Sequence, residues 1–198
     1  MVLTDGLRSR AELDGCTDGE LAVMLRDEGN IMAFEVLLRR YQAPIFGFIL
    51  RQVGDRQKAE DLFQETFLRV FDRIDTCNKP DSFKPWAFTI AANLCRNESR
   101  RQQVRQGERP EERVNGYAST APGPDGVAEA GETRRRITEA LEQLPAAQRE
   151  VFILYHYTHL SYDEIAEVLK TPVGTIKSRM NAALKALRQL LAELRQEG

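Results

Sequence analysis

Apolar side chains recur at helical intervals along most of the chain, and no stretch alternates apolar and polar positions long enough to make a strand. Thr17, with Glu20 three residues on, has the form of a capping box, so a helix is expected to start there and stop at Gly29. A second helix is expected over about 31–42. Pro44 opens a short third one that ends near Gly54. Asp55 caps a fourth over about 56–73, on which Phe63, Phe67, Val70, Phe71 and Ile74 share one face. The loop DTCNKPDSF separates it from a long helix over about 84–105. Further helices are expected near 132–143, 146–157, 162–169 and 173–195, with Pro145 and Pro172 marking two of the starts. The fold class expected is all-α.

The helical pattern breaks only at residues 107–131, which hold five glycines and three prolines and keep neither period. Such composition makes a flexible linker. The expected organisation is a tail over 1–16, a helical domain over 17–106, the linker over 107–131 and a second small helical domain over 132–198. The net charge of −2 conceals a segregation: −4 over residues 1–30, +4 over 31–106, −3 over 107–131 and +1 over 132–198. Two blocks can therefore face a polyanion although the overall balance is acidic.

Three cysteines, Cys16, Cys77 and Cys95, are odd in number and never paired as CxxC, which argues against a disulfide scaffold and a cysteine zinc site. The N-terminus lacks a basic-then-apolar leader, and the apolar runs PIFGFIL and WAFTIAANL are far below the ~20 residues of a membrane span. A cytoplasmic setting without membrane insertion is expected. No histidine precedes residue 156, so metal chemistry in the first domain is disfavoured. His156 and His159 have no other His or Cys near them in the second domain with which to hold zinc. No metal and no cofactor are expected.

The clearest motif is SYDEIAEVLKTPVGTIKSRMNAALKALR over 161–188. Ser161 and Glu164 make a capping box, Ile165, Ala166 and Leu169 a buried face, and Thr171-Pro172 the cap and first turn of the next helix. Two helices across a tight turn form a helix-turn-helix. Residues 173–192 carry four basic side chains and no acidic one. Thr175, Lys177, Ser178, Arg179, Asn181 and Lys185 are the candidates for contact with a major groove.

In the first domain, Asp61, Gln64 and Glu65 lie opposite the apolar face of the fourth helix, with Asp55 and Glu60 nearby. They suit a docking surface for a basic partner, a carboxylate cluster for catalysis or metal, or a solvated helix face. The next helix begins with Phe83, Trp86 and Phe88 and continues through Asn93, Arg96, Asn97, Arg100, Arg101 and Arg105. Rings that stack on bases, followed by guanidinium groups that hold phosphates, fit single-stranded nucleic acid. Phe88, Ile90 and Leu94 are better placed for a core.

The stretches AFEVLLRRY (33–41), AEDLFQETFLRVF (59–71), SFKPWAFTIAANLCRNESRR (82–101), LPAAQREVFIL (144–154) and LSYDEIAEVLKTPVGTIKSR (160–179), in this order and spacing, resemble a bacterial extracytoplasmic-function sigma factor. The resemblance implies that Asp61, Gln64 and Glu65 grip the β′ clamp helices of core RNA polymerase. It implies that the loop over 76–83, with Cys77, Asn78 and Lys79 as its exposed polar members, takes a flipped base of the non-template −10 strand. Phe83, Trp86, Asn93, Arg96, Asn97, Arg100 and Arg101 would then border that strand. The second domain becomes the −35 reader, which also meets the β flap, and an anti-sigma factor is an expected partner. The linker's acidity suits a path made for RNA. Two positions depart from the family: Ala182 and Leu184 stand where arginines are usual, and His159 where glycine is. No sensory domain is expected beyond the last helix. The competing readings are a stand-alone helix-turn-helix repressor, which leaves the carboxylates and arginines unexplained, and a nuclease, which lacks a base.

Overall fold

The computed structural model describes residues 10–105 and 136–196. The described residues form helices joined by short turns, with no strand among them. The first half holds α1 (Arg10–Asp14), α2 (Asp18–Glu28), α3 (Ile31–Val53), α4 (Arg56–Asp72) and α5 (Phe83–Arg105). The second holds α6, whose described part is 136–142, α7 (Ala146–Thr158), α8 (Tyr162–Leu169) and α9 (Val173–Gln196). The expected linker over 107–131 lies outside the described residues.

The caps read from the sequence are present. Glu20 N donates to Thr17 Oγ1 at 3.2 Å while Thr17 N donates to Glu20 Oε2 at 2.7 Å. Gly29 closes α2 in the left-handed region at φ 63°, and Asn30 N donates to Met24 O at 3.1 Å. Asn30 then caps α3 through Ala33 N at 3.1 Å, and Asp55 caps α4 through Lys58 N at 3.1 Å. The second capping box is also closed, with Glu164 N donating to Ser161 Oγ at 3.2 Å and Ser161 N to Glu164 Oε2 at 2.7 Å. Each box satisfies two backbone donors that a helix start would otherwise leave open.

Three local expectations are corrected. The sequence suggests two helices meeting at Pro44, but α3 runs unbroken for 23 residues with Pro44 inside it. Proline removes one backbone donor and crowds the carbonyl four residues earlier, a cost of ~3 kcal/mol in a helix interior. Packing offsets it here, because Val36, Leu37, Tyr41, Ile45, Phe48, Ile49 and Val53 form one buried stripe on both sides of the proline. Phe71 is not part of the buried face of α4: it is 41% exposed and packs edge-on to Phe34 with centroids 5.2 Å apart. Thr171 does not cap α9, since its hydroxyl turns back and donates to Leu169 O at 3.1 Å.

At about 35 Å long, α3 is the pillar of the fold. Helices α2, α4 and α5 pack around it, and α7 packs against it from the second half. Arg40 anchors the N-terminal helices to it, donating to Asp18 Oδ1 at 2.7 Å and to the carbonyls of Asp14 and Cys16 at 2.8 Å. Helix α8 lies against both α5 and α9. One contiguous apolar core therefore runs from Leu13 and Phe48 through Phe88 to Ile153, Ile165 and Met180. A smaller cluster of Ala140, Leu141, Leu144, Ala183 and Leu187 closes the far side of the helix-turn-helix. Phe88 is fully buried and edge-on to Phe48 at 5.7 Å. Phe88→Ala should cost ~3–5 kcal/mol, read as a lower urea midpoint. A loss under about 1 kcal/mol would mean that the pair is peripheral.

Candidate polymerase and nucleic-acid surfaces

Helix α4 shows how the first surface arises. Its inner side buries Ala59, Thr66, Phe67 and Val70, and the Thr66 hydroxyl is satisfied by donating to Leu62 O at 2.7 Å. The opposite side then carries Asp61 and Gln64, exposed, and Glu65, half-buried. Glu65 accepts from Arg69 Nε at 2.7 Å, and Arg56 pairs with Glu60 at 3.0 Å. Asp61 and Gln64 are thus the open polar groups of this face, while Glu65 is held in place by a neighbour. In line with them at helical spacing lies Leu68, 62% exposed, followed by Phe71. The two apolar side chains extend the polar row into a mixed face of the kind found at protein interfaces. Sequence periodicity places Phe71 on the buried face of α4 and gives no sign of the exposed Leu68.

The loop between α4 and α5 is built of two tight 3-10 turns, Ile74–Thr76 and Pro80–Ser82. It is held against the start of α2, where Gly19 faces Asp81 and Pro80 and a side chain there would require the Asp81 carboxylate to move. Asn78 and Lys79 are exposed as expected. Cys77 is not: it is buried, its Sγ 3.7 Å from Lys79 O, and burial pushes the thiol pKa up. Phe83 is likewise a core residue, fully buried between Tyr41 at 5.5 Å and Trp86 at 5.8 Å. The turn directs Cys77 inward, whereas Phe83, the first residue of α5, begins the buried face that continues through Ala87 and Ala91. A cleft of about 260 Å³ opens beside them, walled by Cys77, Asn78, Lys79 and Ser82 from the loop and by Pro85, Trp86 and Thr89 from α5. Trp86 is half-buried there, with part of its ring available.

Farther along α5, Asn93, Asn97, Arg100 and Arg101 are exposed on one side, while Leu94 and Cys95 are buried as the sequence suggests for Leu94. Arg96 is drawn off this row. Its Nε lies 3.2 Å from Glu150 Oε1 of α7, and its Nη1 donates to Asn93 Oδ1 at 3.3 Å. Burial raises the Glu150 carboxyl above the ordinary carboxylate range, against the opposing pull of Arg96, Arg179 and Arg149.

The helix-turn-helix places its candidates as its periodicity implies. Ile176, Met180, Ala183 and Leu187 are buried on one side of α9. Lys177, Ser178, Asn181, Ala182 and Lys185 are exposed on the other, with Thr175 and Arg179 half-buried at the edge. The Ser178 hydroxyl donates to Thr175 O at 2.9 Å. Leu184 is half-buried against the core, so of the two departing positions only Ala182 faces outward. His159 adopts the left-handed backbone expected of it, at φ 55° and ψ 35°. Lys170 does the same at φ 49° between α8 and α9, unforeseen because its side chain gives no hint of it.

Family models for sigma-70 region 2 and sigma-70 region 4 match residues 37–105 and 134–187. The ECF RNA polymerase sigma factor EcfG of Rhodopseudomonas palustris is 36% identical over 147 residues, covering 73% of this chain and 77% of its own. The RNA polymerase sigma factor CarQ of Myxococcus xanthus is 33% identical over 170 residues, covering 86% and 95%. The chain belongs to the ECF sigma factors. Among solved structures, the sigma factor RpoE of Bartonella quintana, crystallised with the anti-sigma factor NepR, is similar with a TM-score of 0.68. It is 26% identical and covers 80% of this chain and 96% of its own.

The two matched regions lie on either side of the expected linker and each contains candidate surfaces. As a sigma factor, the protein binds core RNA polymerase, recognises the −10 and −35 promoter elements and promotes melting, in a family of initiation factors that are not enzymes. Among the described residues no group of His, Cys, Asp and Glu could hold a metal ion, and no helix is long and apolar enough to cross a membrane. The burial of Cys77 and Cys95, both with thiols pushed upward by desolvation, predicts that Cys16 reacts first with maleimide in the native sigma factor. Peptide mapping by mass spectrometry checks this, and equal labelling of Cys77 would show that the loop is open in solution.

Proposed function

We propose that initiation is divided among three surfaces of this sigma factor. Asp61, Gln64 and Glu65, extended by Leu68 and Phe71, dock on the β′ clamp helices. The loop and α5, through Asn78, Lys79, Trp86, Asn93, Arg96, Asn97, Arg100 and Arg101, take the −10 strand. Thr175, Lys177, Ser178, Arg179, Asn181 and Lys185 face the −35 groove, while the second domain also meets the β flap. The domains follow the division 17–106 and 132–198, joined through 107–131, and the protein works in the cytoplasm beside the polymerase. What carries this reading is placement: the polar face of α4, the cleft with Trp86 and the outer face of α9 are each exposed where a buried stripe lies directly behind them.

Cys77 and Phe83 leave the contacting set and become the floor beneath it. The half-exposed Trp86 is then the ring available for stacking, worth ~1–3 kcal/mol per base. That contribution offsets part of the few kcal/mol needed to unstack a base. The sigma factor thus stabilises the melted strand without forming a bond. The RpoE neighbour is bound to an anti-sigma factor, which supports a partner of that class here.

Replacing Asp61 and Glu65 by Lys sets like charge against a basic partner surface. Co-purification with core polymerase should be lost while the helical spectrum is kept; unchanged co-purification removes this face from the docking site. On α9, Ala182→Arg should tighten non-specific duplex binding at low salt, and the slope of log affinity against log salt should steepen by about 0.9 for one added phosphate contact. An affinity that does not rise means position 182 points away from the duplex.

A further inference from the structure

Gly29 and Gly54 take the left-handed backbone that closes α2 and α3, and Gly19 and Gly47 leave room for the side chains of Asp81 and Arg51. Gly174, the second residue of α9, meets no need of that kind. Its φ is not positive, and a methyl group there would touch nothing within 4 Å among the described residues. The helix start does not depend on it either. Thr175 N and Ile176 N both donate to Pro172 O, at 2.9 and 3.1 Å, and Ile176 is fully buried. Glycine loses more backbone freedom on folding than alanine and is the least favourable helix residue after proline. The fold therefore carries a local cost at position 174, and its own packing gains nothing from it.

Gly174 is exposed, and at helical spacing it heads the outward row of α9 that continues through Lys177, Ser178 and Asn181. The buried row of Ile176, Met180, Ala183 and Leu187 lies opposite and fixes the rotation of the helix. The space that glycine leaves is thus on the face turned away from the protein and toward the proposed groove. The residues behind it differ in reach. Lys177 and Lys185 carry long stems, whereas Ser178 and Asn181 are short and can hydrogen-bond a base edge only at close range, because such bonds weaken steeply with distance and angle. The depth at which α9 lies decides whether the short side chains take part.

We propose that Gly174 is a positioning residue for −35 recognition: its bare backbone lets the start of α9 lie against duplex DNA at the depth where Ser178 and Asn181 meet base edges. This rests on the proposed −35 role of α9. A Cβ at 174 holds the helix off the duplex. The short side chains then lose their base contacts, while the lysines still reach phosphates, so discrimination falls more than general affinity. Stability and recognition are opposed at this one position, since the substitution that suits the helix spoils the reading.

The test uses the full chain and two fluorescein-labelled duplexes of about 20 base pairs, two turns of DNA. One is selected from a randomised pool by the wild-type protein, and the other has random sequence. Gly174→Ala should melt at a higher temperature than the wild type and bind the selected duplex about 10-fold more weakly, the scale of one good base contact. Its binding to the random duplex, where phosphate contacts dominate, should change by less than about 2-fold. Gly174→Ser adds the same Cβ and should weaken binding to the selected duplex likewise. Gly15→Ala makes the same change at an exposed turn after α1 and should leave both affinities as they are. Lys177→Ala reports on the α9 face itself. If it weakens binding and the two Gly174 variants do not, the positioning role is overturned and the α9 face stands. If none of them weakens binding, the α9 face falls and the proposal falls with it. A lower melting temperature for Gly174→Ala makes the glycine structural and also overturns the proposal.

Discussion

The buried stripe of α3 is the constraint on which the other helices depend. It continues through Pro44 because the apolar residues on either side fall on one face, and a break there would turn Ile45, Phe48 and Ile49 away from the core. With the pillar intact, α4 and α5 pack against it and each is left with one outward face. Those two outward faces carry the polar and basic residues proposed to meet the polymerase and the promoter strand. The same pillar receives α7, so the second domain is oriented by the first.

The candidate surfaces share a physical design. Behind each exposed polar row stands a fully buried apolar row on the same helix: Ala59, Phe67 and Val70 behind Asp61 and Gln64, and Ile176, Met180 and Ala183 behind Lys177, Asn181 and Ala182. The apolar row fixes the helix rotation, and the rotation aims the polar row. Side chains presented in this way lose less freedom on binding than side chains on a mobile loop. The loop between α4 and α5 is fixed by other means, through two short turns packed against α2.

Most of the fold was legible because its signals are local. Both capping boxes, the glycine stop of α2, the aspartate cap of α4 and the left-handed His159 depend on residues at most a few positions apart. The errors arise where distant packing overrides a local preference. Pro44 reads as a helix start, but contacts across the core keep the helix whole. Cys77 and Phe83 read as loop and helix-end surface, but the loop turns Cys77 inward and Phe83 opens the buried face of α5. Phe71 reads as part of the buried face of α4, although only its edge-on contact with Phe34 covers it and it stays 41% exposed. The contact of Glu150 with Arg96 spans 54 residues, and no spacing in the sequence could announce it.

Helix α8 has eight residues, well below the length at which an isolated helix persists in water. It is held by its capping box, by α9 and by α5. The order of the first helix of the helix-turn-helix thus depends on a helix from the other half of the chain, and a change that loosens α5 softens α8 with it.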